Sequence, residues 1–492
     1  MAPELLTYWM EVLIKMKKMN KRALLFFSLS FCLFKVGFTQ NQQQIYTLDN
    51  CIDIAITNNL DLKSTELFAE SSTINYKQSR SNILPNINAN YNLGVNNGRS
   101  IDPFTNDYIN EELTFSNAGL SLNTTLFNGF RILNSIKQNR FNMEASEMEI
   151  EENKQNLVLE VTLRYIQILN NIDLIELSKA RLETTSQQLE RLESFYEEGT
   201  GNPVNYTDMQ GQYTIDQMGL INAENALKSS ILELNKLLNL NADSEDRFET
   251  ILGLVASEKY PYTAEEVYND ALQNLATFKS KQFRVDAADA GIKVARSNYY
   301  PEVSLFGQLN TNYSSIAQTF TETGTIVTDT GDFVDISGQE YPVFTNQSQF
   351  QGDKISYRDQ FDNNLNSIVG IGVSIPLLNG FRAKNAVSLQ KIAKQESLVE
   401  LENTKLLFKQ SIEEAYNNME SAYDRYYILL EQVKAFEESF RVNEIRFNNG
   451  VSNIVDYITS KNNMDSARLN LSQTKYEYLL RVKILDYYRG IN

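Results

Sequence analysis

Histidine is absent from this sequence of 492 residues, and cysteine occurs only twice. Without histidine there is no imidazole base, no imidazole metal ligand and no Ser-His-Asp triad. Two cysteines cannot build a four-cysteine zinc site or a disulfide framework. The sequence therefore predicts a protein that is not an enzyme and that needs no cofactor or metal.

Proline and glycine are also scarce, with 8 and 21 residues respectively. So few helix-breaking residues favour long helices over an all-β or many-domain chain. After residue 39 no stretch reaches 18 continuous apolar residues, so no membrane-spanning helix is expected. The formal net charge is −17, with the acidic excess after residue 39. Because a nucleic-acid binder needs a basic face, this balance argues against a nucleic-acid partner.

The N-terminal residues 1–39 have the order of a secretory signal peptide. A basic cluster at 17–22 precedes a mostly apolar run, and a small-x-small sequence follows at 37–39. The apolar run is too short to cross a membrane as a helix. Met16 or Met19 is a possible true start. The mature chain is therefore expected to be exported, and to be either soluble outside the inner membrane or inserted as a barrel.

The remaining chain contains an internal duplication. Pro85 and Pro301 are 216 residues apart within similar segments, and Asn-Gly-Phe-Arg occurs at both 128–131 and 379–382, 251 residues apart. The change in offset indicates one net insertion of 35 residues in the second copy. Each copy is predicted to contain a helical segment, two strands, a very long helix and a further helix. The two copies span 40–261 and 262–492.

The predicted strands alternate apolar and polar residues with a period of two. This pattern over roughly 9–11 residues fits a transmembrane β-strand, but a half-buried sheet of a soluble protein alternates in the same way. The signal peptide and the uncharged Asn, Ser, Thr and Gln of the polar face favour a water-filled barrel. The linkers at about 98–116 and 312–366 are predicted to be polar loops at the outer end. The strands are expected at about 86–97, 117–127, 302–311 and 367–378.

Two stretches without glycine or proline predict long helices at about 131–198 and 382–449. Each would span about 100 Å. Hairpin ends are predicted at 199–203 and 450–453, where glycine stops the helix before another begins. In the first copy Asn and Ser interrupt the equivalent heptad positions, so its packing seam is not predicted. The second helix carries ten heptad positions typical of a coiled coil: Phe408, Ile412, Ala415, Met419, Ala422, Tyr426, Leu429, Val433, Phe436 and Phe440.

Four strands are too few to close a transmembrane barrel, and open sheet edges cannot lie in lipid. Copies of the chain must therefore complete the barrel, with eight strands from two subunits or twelve from three. Eight strands leave an interior filled by side chains, whereas a larger barrel can hold water. A polar, water-filled lumen therefore favours three subunits. The predicted fold is a mixed α and β membrane protein. Its homotrimer forms a 12-stranded outer membrane β-barrel continued by a long periplasmic α-helical coiled-coil barrel.

The order of these motifs resembles the TolC-type outer membrane efflux protein family. The resemblance rests on Leu84-Pro85 and Tyr300-Pro301, on the two Asn-Gly-Phe-Arg junctions, and on Arg446-Phe447-x-x-Gly450 leading into Asp456. It implies a homotrimer in the outer membrane of a Gram-negative bacterium, in contact with outer membrane lipid and extending into the periplasm. It also implies docking to a periplasmic adaptor (membrane fusion) protein, which connects it to an inner membrane pump or an ABC exporter.

The resemblance also indicates functional residues. In the family the two hairpin ends form the inner mouth, and an acidic ring narrows the pore beyond the second end. Asp456 matches the ring position, whereas Thr459 one turn further is uncharged. An alternative for Asp456 is an acidic residue favoured by the helix dipole. The matching adaptor-docking residues are Gly199, Thr200, Gly201, Arg446, Gly450, Val451 and Ser452.

These observations predict a passive outer membrane exit duct of a tripartite efflux or type I secretion system. The sequence has no Gly-x-x-x-x-Gly-Lys phosphate loop, so the energy would come from a partner. The alternative is a non-channel periplasmic coiled-coil adaptor or envelope scaffold. The sequence does not predict the cargo.

Overall fold

The computed structural model describes residues 45–102, 106–240, 247–249 and 259–491. The predicted signal peptide, with Met16 and Met19, lies outside these residues. The chain divides into two units. In the smaller unit Ile45–Tyr46 pairs in parallel with Arg247–Phe248, and the rings of Tyr46 and Phe248 stack with centroids 5.8 Å apart.

The larger unit contains the remaining described strands and helices. We number all elements in chain order: β1 Ile45–Tyr46, α1 Leu48–Asn58, α2 Leu60–Ser81, β2 Asn86–Asn96, β3 Arg99–Ile101, β4 Tyr108–Asn110, β5 Leu113–Asn128, α3 Arg131–Glu197, α4 Pro203–Leu238, β6 Arg247–Phe248, α5 Ala264–Asn274, α6 Ala276–Arg296, β7 Glu302–Ser314, β8 Gln318–Ile336, β9 Gln339–Lys354, α7 Tyr357–Asn363, β10 Asn366–Ser374, α8 Arg382–Asn448 and α9 Ile454–Arg489.

Four of these strands form one antiparallel sheet in the order β10-β7-β5-β2. Its register places Asn90 opposite Gly119, and Gly119 opposite Asn310. One position along, Ala89 lies opposite Leu120, which lies opposite Leu309. Because side chains alternate between the faces of a strand, one face of the sheet is amide-rich and the other is apolar.

The strand boundaries differ from the predicted ones at several ends. β5 and β7 are longer than expected, beginning at Leu113 and ending at Ser314. β10 ends at Ser374 rather than near residue 378. Pro376 explains this early end, because proline has no backbone N–H to donate to a neighbouring strand.

The prediction of a polar loop over 312–366 is wrong. β8 and β9 form an antiparallel hairpin there, and the helix α7 follows it. Ser337 and Gly338 connect the two strands, both with positive φ, at 61° and 85°. Two such residues match the type I′ turn, whose twist suits a two-residue hairpin. The shorter linker also contains a small hairpin, β3–β4.

Each helical segment ahead of the strands is divided into two helices, where the sequence predicts one continuous stretch. Asn59 separates α1 from α2 in an extended conformation, and its side chain accepts a hydrogen bond from the Leu62 N–H. Leu275 is extended in the same way between α5 and α6. Asn59 therefore ends one helix and caps the next, as short polar side chains do at helix starts.

The two longest helices, α3 and α8, have 67 residues each, which corresponds to about 100 Å. The heptad prediction for α8 is confirmed, because all ten predicted positions are buried or partly buried. Ile412 and Met419 are fully buried against α5 and α9. Complete burial of such a side chain contributes about 1.5–3 kcal/mol.

The long helix α3 packs against α2, α4, α6 and α9. This central position explains why it has no single apolar seam. Asn171 and Ser178, which interrupt the heptad pattern, are both buried. Asn171 Nδ2 donates to Ser230 Oγ on α4 at 3.0 Å, so the buried amide is satisfied. None of the helices in the described ranges has an apolar run long enough to cross a bilayer.

Candidate functional site

The two hairpin ends, where α3 turns into α4 and α8 turns into α9, have the same backbone conformation. Gly199 and Gly450 adopt left-handed φ values of 71° and 73°. The next N–H groups, of Thr200 and Val451, donate to the carbonyls of Phe195 and Arg446 at 3.0 and 2.8 Å. Glycine is favoured here because it adopts this conformation without a steric cost.

The first hairpin end is braced by aromatic side chains. Tyr196 and Tyr206 stack across the turn with ring centroids 5.1 Å apart. The Gly201 N–H donates to the Phe195 carbonyl at 2.7 Å, and a Cβ at Gly201 would meet the Phe195 backbone at 2.8 Å. Gly201 is therefore required by the close approach of the chain, whereas Gly199 has open space around it.

The second hairpin end presents a different surface. Val451 is 67% exposed and the Arg446 side chain is also exposed. Ser452 is partly buried, and its Oγ donates to Asp456 Oδ2 at 3.2 Å. The first end has Phe195 where the second has Arg446, so only the second carries a cation at this place.

Asp456 is exposed in the first turn of α9. Its N–H donates to the side chain of the capping residue Asn453 at 2.8 Å. A carboxylate here interacts favourably with the helix dipole, as the alternative interpretation requires. The same exposure leaves the carboxylate accessible from outside the chain.

The four helices that meet near these ends share a hydrophobic cluster. Tyr457 lies at its centre, with its ring centroid 5.1 Å from that of Phe447 and 5.5 Å from that of Phe440. Burial raises the pKa of the Tyr457 phenol above its usual value, so the ring stays neutral. The buried members of the cluster are Leu192, Met209, Phe440, Ile454, Tyr457 and Met464.

The structure thus brings the hairpin-end residues of both halves into neighbouring turns. It also reveals contacts between the halves that the sequence analysis missed. Arg191 on α3 donates from Nη2 to the Asn448 carbonyl on α8 at 3.1 Å. Lys461 is fully buried beside Asp216 and Asp465. The spacing of four between Lys461 and Asp465 was a usable signal for an ion pair on one helix face.

No group of three or more Asp, Glu or Cys is placed to hold a metal ion in the part of the chain that the structure describes.

Comparisons with known proteins identify the family. The model of the outer membrane efflux protein family matches residues 51–240 and 267–488, which is more than half of the chain. The chain is 22% identical over 407 residues to outer membrane protein TolC of Vibrio cholerae, covering 82% of this chain and 81% of that protein. It is 20% identical over 384 residues to outer membrane efflux protein BepC of Brucella suis, covering 76% and 70%.

Solved structures show the same fold. The chain matches CusC with a TM-score of 0.72 at 15% identity, over 90% of this chain and 92% of that one. It matches the outer membrane protein VceC of Vibrio cholerae with a TM-score of 0.71 at 13% identity, over 90% and 96%. The chain therefore belongs to the outer membrane efflux protein family and is a channel protein of the Gram-negative outer membrane.

Proposed function

We propose that the protein is the passive exit duct of a tripartite efflux or type I secretion system. In this proposal three copies form the duct, a periplasmic adaptor docks at its inner mouth, and an inner membrane pump or ABC exporter supplies the energy. The observation that carries the proposal is the open four-stranded sheet, because it is incomplete in a single chain.

The sheet has two unpaired edges, at its terminal strands β10 and β2. Unpaired N–H and C=O groups are too costly to leave facing hydrocarbon. Edge-to-edge pairing of copies satisfies them and closes a barrel. The amide-rich face around Asn90 and Asn310 suits a hydrated lumen, which favours twelve strands from three copies over eight from two.

The helices are also incomplete in one copy. The helices next to the strands form a layer in the order α2, α3, α6, α8, in which each helix packs against the next. In one chain, α2 and α8 therefore lie at the two ends of this layer. Phe68 on α2 is 71% exposed, and Val399 on α8 is 68% exposed. Large exposed apolar surfaces mark protein contacts. The next copy would cover them and continue the layer into a closed tube.

We infer further that the chain arose by duplication into the halves 40–261 and 262–492. Equal lengths support this proposal, since α3 and α8 have 67 residues each and α4 and α9 have 36 each. Both long helices also begin after a left-handed Phe, at Phe130 and Phe381.

The docking surface proposed for the adaptor is the pair of hairpin ends. It comprises the exposed backbone around Gly199 and Gly450 and the residues Thr200, Gly201, Arg446, Val451 and Ser452. Two features support this assignment, namely the exposed Val451 in the turn and the exposed Arg446 in the last turn of α8. An apolar side chain beside a cation offers both burial and a charge-assisted hydrogen bond to a partner.

Conductance in planar bilayers tests the proposed function. The purified protein should run as a trimer in detergent and should give stable ion-conducting steps after insertion. A trimer is expected because the sheet edges must pair. A coiled-coil adaptor or envelope scaffold would give no steps, and that result would refute the exit duct.

Asp456→Asn should reduce the cation preference of the channel. Three carboxylates near the axis attract cations and repel anions, and the amide keeps the shape while removing the charge. We expect the cation-to-anion permeability ratio, measured from reversal potentials in a salt gradient, to fall by at least about twofold. Asp208→Asn, which changes an exposed carboxylate on α4, is the matched control. An unchanged ratio in Asp456→Asn would exclude an acidic constriction at this position.

A further inference from the structure

The β8–β9 hairpin extends from the end of the four-stranded sheet that is opposite to the helices. Together with α7 it connects the end of β7 to the start of β10, whereas α6 and α8 adjoin these strands at their other ends. Within the described ranges, β8 and β9 pair with each other and with no other strand. In the proposed duct the hairpin therefore stands at the outer mouth.

The base of the hairpin is held to the sheet by specific contacts. Gln360 of α7 accepts a hydrogen bond from the Ser314 N–H at 2.8 Å, and its Nε2 donates to the carbonyls of Ser314 and Ile355 at 2.9 and 3.0 Å. The Ile355 N–H donates to the carbonyl of the buried Ala317 at 3.1 Å. Because these bonds fix both strands near the sheet, the hairpin has a defined point of departure.

All the phenylalanines of the hairpin lie on one face. Even-numbered residues of β9 point to one side of the ribbon, and residues of β8 opposite them point to the same side. The register shift between Glu322 and Gly324 adds one residue to β8, which brings the rest of that strand into phase. The phenylalanines on this side, which we call the Phe face, are each 57–67% exposed: Phe320, Phe333, Phe344 and Phe350.

The Phe face is a large apolar surface for an isolated ribbon. A phenylalanine side chain buries about 150–250 Å² when it is covered, so the four rings expose roughly 500 Å² in total. Val327, which is also exposed, lies opposite Asn346 between Phe344 and Phe350 and extends the surface. A two-stranded hairpin is only marginally stable alone in water, and exposed apolar surfaces of this size mark protein contacts. We therefore expect the Phe face to be covered in the assembled protein.

The two faces of the hairpin differ in charge. Among its paired residues, the Phe face carries one cation, Lys354, and four carboxylates: Glu322, Asp329, Asp335 and Glu340. The other side, which we call the reverse face, has one charged residue among its paired positions, Asp353. The reverse face is otherwise polar near the base and apolar near the turn: Thr319, Thr321, Gln347, Gln349 and Gln351, then Val334, Ile336 and Tyr341.

This charge distribution favours one way of covering the Phe face. If the Phe faces of three copies met each other, their carboxylates would be brought together, and like charges in contact oppose association. If the Phe face of one copy packs on the reverse face of the next, the carboxylates meet hydroxyl and amide groups that donate hydrogen bonds. A ring of three also requires contacts between two different surfaces of each copy.

The hairpin of a neighbouring copy is within reach. In a barrel of twelve strands the copies repeat every four strands, which corresponds to about 20–25 Å around the barrel. β9 has 16 residues, so the hairpin is about 50 Å long. It is attached beside β10, the edge strand that pairs with the next copy in the proposed barrel. Contact between hairpins would therefore continue that interface beyond the sheet.

We propose that the three β8–β9 hairpins form a collar at the outer mouth, in which the Phe face of each copy packs on the reverse face of the next. This inference rests on the trimer of the proposed function. It gives a role to the net insertion of 35 residues in the second half of the chain, because the inserted ribbon adds a second interface between copies.

Cysteine cross-linking tests the collar. Phe344→Cys places a thiol on the Phe face, Gln347→Cys places one on the reverse face, and the native Cys51 is buried. With both substitutions in one chain, a bis-maleimide that spans the roughly 10 Å between packed faces should produce covalent trimers, because each copy is joined to both neighbours. Each single variant should stay monomeric on a denaturing gel.

The rate of thiol labelling provides a second measurement, which does not depend on the register between copies. A cysteine placed at any of the four phenylalanine positions should react with a maleimide dye at least about tenfold more slowly in the trimer than after dissociation. Tyr108→Cys, at an exposed position of the small β3–β4 hairpin, is the matched control and should react at similar rates in both states.

The outcomes separate the collar from the proposed function. Covalent dimers from Phe344→Cys alone would show that Phe faces meet each other and would overturn the proposed packing. Fast labelling in a conducting trimer would show an uncovered Phe face, and slow labelling without covalent trimers would show a different cover. Either result would overturn the collar while leaving the duct intact. An unsubstituted protein that is monomeric and does not conduct would refute the duct itself.

Discussion

Asp216→Leu should lower the free energy of unfolding by about 3–5 kcal/mol, because it removes the carboxylate that both Lys461 and Arg181 contact. Asp465 alone then faces both Lys461 and Arg181, and Thr185 and Gln212 each lose one of their two hydrogen-bond acceptors. The measurement is the denaturant midpoint of helix content, followed by circular dichroism in detergent.

Two comparisons determine whether the effect comes from unbalanced charge. Asp208→Leu, at an exposed position of the same helix, should change the midpoint little. Asp216→Leu combined with Lys461→Met removes one anion and one cation, and should recover a large part of the lost stability. Equal loss in the double and single variants would show that packing around Asp216, not its charge, sustains the site.

Gly129→Ala should impair folding far more than Gly380→Ala, although both residues occupy the same place before a long helix. Their φ values are 63° and 59°, so alanine costs roughly 1–2 kcal/mol of backbone strain at each. At Gly129 a Cβ would also lie 2.7 Å from Tyr300 Cβ and 2.9 Å from the Ser297 carbonyl oxygen. At Gly380 nothing lies within 4 Å.

The additional clash at Gly129 should cost about 1–3 kcal/mol beyond the strain. The helical circular-dichroism signal in detergent should therefore be lost at a lower temperature for Gly129→Ala than for Gly380→Ala. If the two variants melted together, the neighbouring backbone would have moved aside and the clash would not control this junction.

Local patterns predicted the parts of the fold that depend on one element. The heptad series of α8 could be recognised in the sequence because one face of this helix meets apolar partners along its length. Phe408 and Phe440 both lie on that face. The packing face of α3 could not be recognised in the sequence, because α3 packs against other helices on several sides. Its buried Asn171 is satisfied by α4, a contact that no local pattern encodes.

The β8–β9 hairpin was missed for a different reason. Its composition is polar, and its alternation is interrupted by irregularities between Glu322 and Gly324 and between Asp329 and Phe333. The Ser337-Gly338 turn was the available signal. Of the buried charges around Lys461, only the Lys461–Asp465 spacing was visible in the sequence, because Arg181 and Asp216 lie on helices that are distant from α9 in sequence.

The equal lengths of α3 and α8 have a consequence for any partner at the inner mouth. Two turns per protomer end at matching positions after 67 helical residues, so three protomers would offer a pseudo-sixfold ring. Its members alternate between the aromatic Phe195 and the cationic Arg446. A partner with true sixfold symmetry would meet two different kinds of binding position. A partner with threefold symmetry could distinguish the Arg446 turns from the Phe195 turns by their charge.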